Sequence, residues 1–364
     1  MNVSLLCFSS SRFYLASPFL NTKDMMILDR MIISNSFSTI IHSLKSIRIS
    51  NSKFANNLDT FVVIKNLYIY NRTYNTYQSF VYEPENVITN CEFLSITSSH
   101  SSSGILFQSN GKIRVSFCKF ISLSATYSGY GGTAFYASSG DSIIIDCCMF
   151  KLCRSPHGAS YGILTSSVNL NFTYAFNSES FVGYTGAQGH SSYLEGKKYF
   201  DCTDNNASFI ESTGNSGLFY LLGIPNNCDR IQRCHLSNSK TLYMIIHLTT
   251  PAYSATNLCF SNLSSSNWFN ANQPLTLKKC SFIMLSSNPT WSATYMFLSC
   301  QFDKSQAQYG IPSTIISNCQ FSLSYPIQHN PNIIYQCFGI NQYQTKTIRS
   351  LSRFHILVSN ILLQ

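Results

Sequence analysis

Two short stretches carry acidic residues in pairs: "SSGDSIIIDC", with Asp141 and Asp146, and "FDCTDNNASF", with Asp201 and Asp204. Paired carboxylates can cleave a glycosidic bond, one protonating the leaving oxygen while the other activates water or attacks the sugar. Arg114, one repeat upstream of Asp146 though in a different column, completes the candidate set as a guanidinium for an anionic sugar. Carboxylates exposed in turns are the commoner explanation of such residues, and only 15 acidic residues occur in 364. His157 in "SPHGAS" and His190 in "AQGHSS" lie in Gly- and Ser-rich insertions without acidic neighbours. No nucleophile elbow, P-loop or dinucleotide fingerprint is present, and "YSGYGGTAF" reads as a turn entering a strand, so no cofactor is expected.

The other reactive set is the 14 cysteines. Cys147, Cys148 and Cys153 lack the second pair or His cluster that zinc requires, and no metal is expected. Their positions show a period instead: 259, 280, 300, 319 and 337 are separated by 21, 20, 19 and 18. Cys91, Cys118 and Cys148 are 27 and 30 apart, and Cys234 precedes Cys259 by 25, as if loops were inserted into the same unit.

Aligned on these nine cysteines, the column three residues earlier reads Ile88, Val115, Ile145, Ile231, Thr256, Leu277, Phe297, Ile316 and Ile334. Two residues after Cys it includes Phe93, Phe120, Phe150, Leu236, Ser261, Phe282, Phe302, Phe321 and Gly339, with mainly polar residues between. This is strand alternation with Cys and Phe facing in. The apolar position three before Cys breaks the two-residue period, so the chain must bend between an Ile-rich strand and the Cys-x-Phe strand. "YGILTSSVNLNFTYAF" repeats the scheme with Tyr174 in the place of Cys, and "KSIRISNSKF" with Ser52. Stacked units put Cys on Cys and Phe on Phe about 4.8 Å apart. Buried thiols are the favoured reading of that ladder, with some disulfides left open.

Composition agrees with a β repeat: 45% hydrophobic, 11% charged, and a polar remainder of Ser, Thr and Asn that suits turns better than helices. The net charge of +9 comes from scattered residues and pairs such as Lys197-Lys198 and Lys278-Lys279, not from a nucleic-acid-binding block. No apolar run reaches membrane-span length. The first 20 residues lack the basic start of a secretory signal. Sequons at Asn2, Asn71, Asn171, Asn206 and Asn262 are no more than this composition supplies by chance.

The Cys-x-Phe units resemble right-handed parallel β-helix proteins. They are more particularly similar to the polymorphic-membrane-protein-like β-helix families of parasitic protists of the trichomonad type, which repeat C-x-F and N-C-x-F phrases. The resemblance covers about Ile40 to Asn341. It implies a cell-surface or adhesive role with a glycan or protein ligand on an exposed face, while the missing signal and anchor leave a cytoplasmic address open.

The expected fold is therefore all-β: a single-stranded right-handed parallel β-helix of about a dozen coils, residues 31–341. Residues 1–30 are expected as an N-terminal cap or weak signal-like segment, 342–364 as a C-terminal cap, and Val182 to Asp204 as the largest loop insertion. The expected function is a non-catalytic binding or scaffold protein, the alternatives being a β-helix lyase or hydrolase and a fragment of a larger surface protein.

Overall fold

The computed structural model describes residues 2–4, 7–8, 26–36, 39, 41–43, 46–60, 62–64, 85–109, 111–126, 132–138, 140–156, 160–171, 174–176, 179–180, 192–212, 219–222, 230–241, 245–247, 253–265, 268–271, 274–286 and 295–324. These residues are nearly all β, in two sheets whose strands pair in parallel. A strand pairs not with its neighbour in sequence but with the equivalent strand one unit away: Lys112–Ser116 lies between Glu85–Thr89 and Ser142–Asp146. One row of thirteen such strands runs from Asn2–Ser4 to Ile316–Ser317. Parallel pairing thus begins within the expected N-terminal cap, where Cys7–Phe8 also pairs with Ile32–Ser36. The expected C-terminal cap and Cys337 lie outside the described residues.

Each unit turns on single residues of left-handed backbone. Immediately before the Cys position stand Asn51, Asn90, Phe117, Cys147, Asp204, Arg233, Asn257, Lys279, Ser299 and Asn318, all with φ between 49° and 55°. A second left-handed bend follows the Phe strand at Asn56, Ser95, Ser122, Leu152, Phe209, Asn238, Asn262, Met284 and Ser322. One residue in this region reverses the inside–outside parity of the strand. Val115 and Cys118, three apart, therefore both face the core.

The bend explains why Cys recurs. A carbonyl two residues earlier is turned inward, and the thiol donates to it: Cys91 Sγ to Thr89 O at 3.2 Å, Cys118 to Ser116 O at 3.2 Å, Cys148 to Asp146 O at 3.3 Å. A second acceptor belongs to the preceding unit, as in Cys300 to Leu277 O at 3.3 Å. Where Cys is replaced, another donor does the same: Ser52 Oγ reaches Ser50 O at 2.7 Å, and Asn205 Nδ2 reaches Thr203 O at 3.1 Å. A small side chain with a donor, not merely a small apolar one, is what the position favours.

The Phe column fills the space beyond. Phe54, Phe93, Phe120 and Phe150 succeed one another at centroid separations of 5.1, 4.9 and 5.2 Å, and Phe282, Phe302 and Phe321 at 4.9 and 4.8 Å. Between these runs the column narrows to Ala175 and Ala207 before widening through Leu236 and Phe260. Tyr161 packs on Phe150 just before the narrow section, and Trp268 stacks on Phe282 after it. The small residues that open several units meet a close backbone approach: a Cβ on Gly104 would lie 2.3 Å from Ala134 O.

Three register expectations are corrected. Cys259 does not occupy the thiol column: it pairs with His235 and Ser281, one position later, and buried Leu258 follows the bend at Asn257. Ala255 and Phe260, not Thr256 and Ser261, are then the inward partners of Ile231 and Leu236. Tyr174 likewise pairs with Met149 and Asn206, one position past the column. Finally, Ser192–Thr203 is a twelve-residue strand along Tyr161–Asn171 rather than part of a loop. At Cys259 and Tyr174 a bend can be slid by one residue along a run of similar amino acids without changing the local pattern.

If the donor matters, Cys118→Ser will be more stable than Cys118→Ala, and the Ala variant will lose about 1–3 kcal/mol; urea unfolding of both checks the order. A second expectation concerns Met284, which is left-handed (φ 50°) and 58% exposed. Met284→Asn should raise the unfolding free energy by up to about 1 kcal/mol, because Asn tolerates this conformation better. The same change at Met296, exposed on a strand, should not, since Asn is disfavoured there.

Candidate functional site

The expected carboxylates do not converge. Asp141, exposed, precedes the strand that ends in Asp146, and the five residue steps between them span about 16 Å. Asp201 lies directly opposite Asn169 and Arg230, in the same outward column as Arg114 but three units away, about 14 Å. Asp204 occupies a bend, and Arg233, at the same bend of the next unit, grips it with both forks: Nε to Oδ1 at 2.7 Å and Nη2 to Oδ2 at 2.6 Å. That pairing raises the Arg233 pKa and commits Asp204 to holding two units together.

Only Arg114 and Asp146 come together. Arg114 stands opposite Ile144, two residues before Asp146 on the adjacent strand. Burial pushes the Asp146 carboxyl above its ordinary value, and the Arg114 charge and the Cys147 backbone amide only partly offset this. One half-buried acid with a neighbouring guanidinium can bind an anion or a sugar hydroxyl. It lacks the second carboxylate that acid–base cleavage requires.

The register assembles other groups that linear spacing conceals. Arg154, Glu179, Glu211 and Lys240 face one another in successive units of a short strand row. Their separations of 25, 32 and 29 residues follow no fixed interval, so no motif search finds them.

A denser polar cluster surrounds Asp59. Its Oδ1 accepts from the Thr60 amide at 2.6 Å and from Ser98 Oγ at 3.4 Å, and its Oδ2 from Thr39 Oγ1 at 3.2 Å. His100 Nε2 lies 3.3 Å from Oδ1. Ser98 also receives the His100 amide at 3.0 Å and meets Thr60 Oγ1 at 3.0 Å, while Thr60 Oγ1 donates to Ser102 O. Serine, histidine and aspartate are all present, but the carboxylate lies between the other two. The imidazole is therefore not placed to take the serine proton, and the hydroxyl is buried. The cluster fastens three successive units at their loop edge.

The thiol column is chemically quiet. Ten cysteines carry thiols rather than disulfides. Hydrogen bonding to Cys118 and then burial hold the Cys91 thiol well above its ordinary pKa; burial does so first for Cys118 and Cys202. Cys300 and Cys319 are raised chiefly by their thiol neighbours, Cys280 and Cys300. Cys147, at a bend, is by contrast disulfide-bonded, and none of the ten thiols is its partner. Among the described residues no group of three or more His, Cys, Asp or Glu is arranged to hold a metal ion, and no helix is long and apolar enough to cross a membrane.

No family model, curated protein or solved structure matches the chain. Geometry alone therefore carries the functional reading.

Asp146 allows a test of that geometry. A carboxyl whose folded pKa is raised binds more protons folded than unfolded, so its contribution falls as pH rises from the unfolded value of 3.8 through the folded one. Asp146→Asn should accordingly raise the melting temperature at pH 7, and its advantage should fade as the pH drops through the raised folded value and be gone below about 3.8. Thermal melts across pH 3–8 check this.

Proposed function

We propose that the chain is a right-handed parallel β-helix acting as an elongated, non-catalytic binding scaffold, with a surface-exposed protein as the best-supported setting. The observation that carries this is the outward registration of successive units. It lines side chains up in straight rows about 4.8 Å apart, such as Lys53, Glu92 and Lys119, whose ammonium groups lie 3.8 and 3.1 Å from the intervening carboxylate. Rows of this kind suit an extended ligand such as a glycan or a peptide, because successive units present side chains at a constant spacing. The scattered acids supply no pair for bond cleavage. The Cys147 disulfide favours an oxidising compartment, in keeping with the resemblance to surface β-helix families.

Thirteen strands at this spacing imply a particle at least about 58 Å long, which small-angle X-ray scattering measures. Binding is tested on immobilised polysaccharides and matrix proteins, with parallel assay of reducing ends and unsaturated uronates. The expected result is saturable retention on one ligand class without product. Product formation that disappears in Arg114→Ala or Asp146→Asn would replace this reading with that of a carbohydrate-active enzyme.

A further inference from the structure

A second row of strands, Ile41–Ser43, Val62–Ile64, Ile105–Phe107 and Phe135–Ala137, lies beside the long row and merges with it at Tyr161–Asn171. In the last three of these strands the end residues face the core: Val62 and Ile64, Ile105 and Phe107, Phe135 and Ala137. The middle residues, Val63, Leu106 and Tyr136, stand opposite one another on the outer face and form an apolar cluster separate from the core. Gly162, opposite Tyr136 in the following unit, offers no side chain, so the patch ends there.

Each of the three is only 7% exposed. A place on the outer face of a sheet does not account for that. In the neighbouring row, Arg48 and Arg114 are exposed and Val87 between them is half-buried at comparable outward positions. Outward apolar side chains are so well hidden only under a further layer of protein. Here a single chain supplies that layer, so no second copy is needed to explain it.

Chain length singles out the source. Ile64, Phe107 and Ala137 are in register, and so are Glu85, Lys112 and Ser142, which open the next strand of each unit. From Phe107 and from Ala137 the gap is crossed by four residues, the polar turns "QSNG" and "SSGD". From Ile64 it takes twenty, residues 65–84, "KNLYIYNRTYNTYQSFVYEP". This insertion begins two residues past Val63, carries five Tyr together with Leu67, Ile69, Phe80 and Val81, and has only three charged residues. Half of its length, extended, reaches about 33 Å, whereas the patch spans two strand spacings, about 10 Å. The corner from which it leaves borders both rows, and with Arg48 and Arg114 exposed, the side of Val63 is the one that is covered.

We infer that the outer face formed by Val63, Leu106 and Tyr136 is a docking surface for residues 65–84 of the same chain. Its aliphatic and aromatic side chains match the apolar half of that insertion. The face is thereby withdrawn from any external ligand, and a binding scaffold must use the remaining ones. The inference stands independently of the binding role.

The test places the photocross-linker p-benzoylphenylalanine at position 106 of the full-length protein, and in a second variant at position 136. Irradiation followed by peptide mass spectrometry is expected to give intramolecular cross-links to residues within 65–84. Cross-links confined to another part of the chain, or to a second copy, would overturn the inference. A further comparison replaces residues 65–84 by the "QSNG" turn of the next unit. Leu106→Lys should lower the melting temperature of the full-length protein by at least about 2 °C, because it puts a charge under the insertion, and that of the shortened protein by less than half as much. An equal loss in both proteins would also sink the idea.

Discussion

Everything in this chain depends on a backbone conformation that most residues avoid. Most described units place one residue near φ +50° before the thiol column and another after the Phe strand. Left-handed backbone costs a non-glycine residue about 1–2 kcal/mol, and none of these positions is glycine. Asn at positions 51, 90, 257 and 318 lowers that cost, since its short amide tolerates the conformation. The bend also turns a carbonyl into the core, and an unpaired carbonyl there would destabilise the unit further. A thiol, a serine or an asparagine at the next position answers it, so the two requirements travel together as left-handed residue followed by small donor. Leu258 and Met31 fill the same place by burial alone, which shows that the bend tolerates an occasional loss of the donor.

With the bends set, the interior must be filled at constant density while its lining changes from unit to unit. Phe on Phe at about 5 Å does this where the column is uniform. At Ala175 and Ala207 the column itself supplies little volume. Near the other end the reverse holds: Trp268 adds a second ring beside Phe282, and Tyr309, on a one-turn helix inserted at Gln306–Tyr309, meets Trp268 edge-on at 5.0 Å. The capping box of Ser305 and Gln308 and the left-handed Gly310 hold that turn where no strand continues it.

The fold was legible because its strongest signal is periodic and local. Ile-x-x-Cys-x-Phe encodes a strand, a bend and a second strand within six residues, and the inward faces of Ile88, Cys91 and Phe93 follow from it. What escaped was register where the signal is ambiguous. "NLCFSN" offers two positions for the bend, and the thiol draws the alignment one residue too far, although Thr256 and Ser261 were already poor matches to their columns. The candidate site was harder, because proximity across units depends on loop lengths. Asp141 and Asp146 are near in sequence and far in space, whereas Arg154, Glu179, Glu211 and Lys240 are the reverse. Summing irregular loops cannot locate such a row. Counting outward positions from each bend can.

The same counting separates two fates for one amino acid. A cysteine directly after the bend, such as Cys118, is turned inward, donates to a carbonyl and has its ionisation suppressed first by burial and then by the thiol of the next unit. A cysteine one residue later is turned outward, where its neighbours across the units are whatever the outer row supplies, here an imidazole and a hydroxyl. No change in composition distinguishes the two, and no short motif does. In a stacked repeat, a shift of one residue therefore does more than turn a side chain to the other face of its strand: it changes which groups of the neighbouring units stand opposite it.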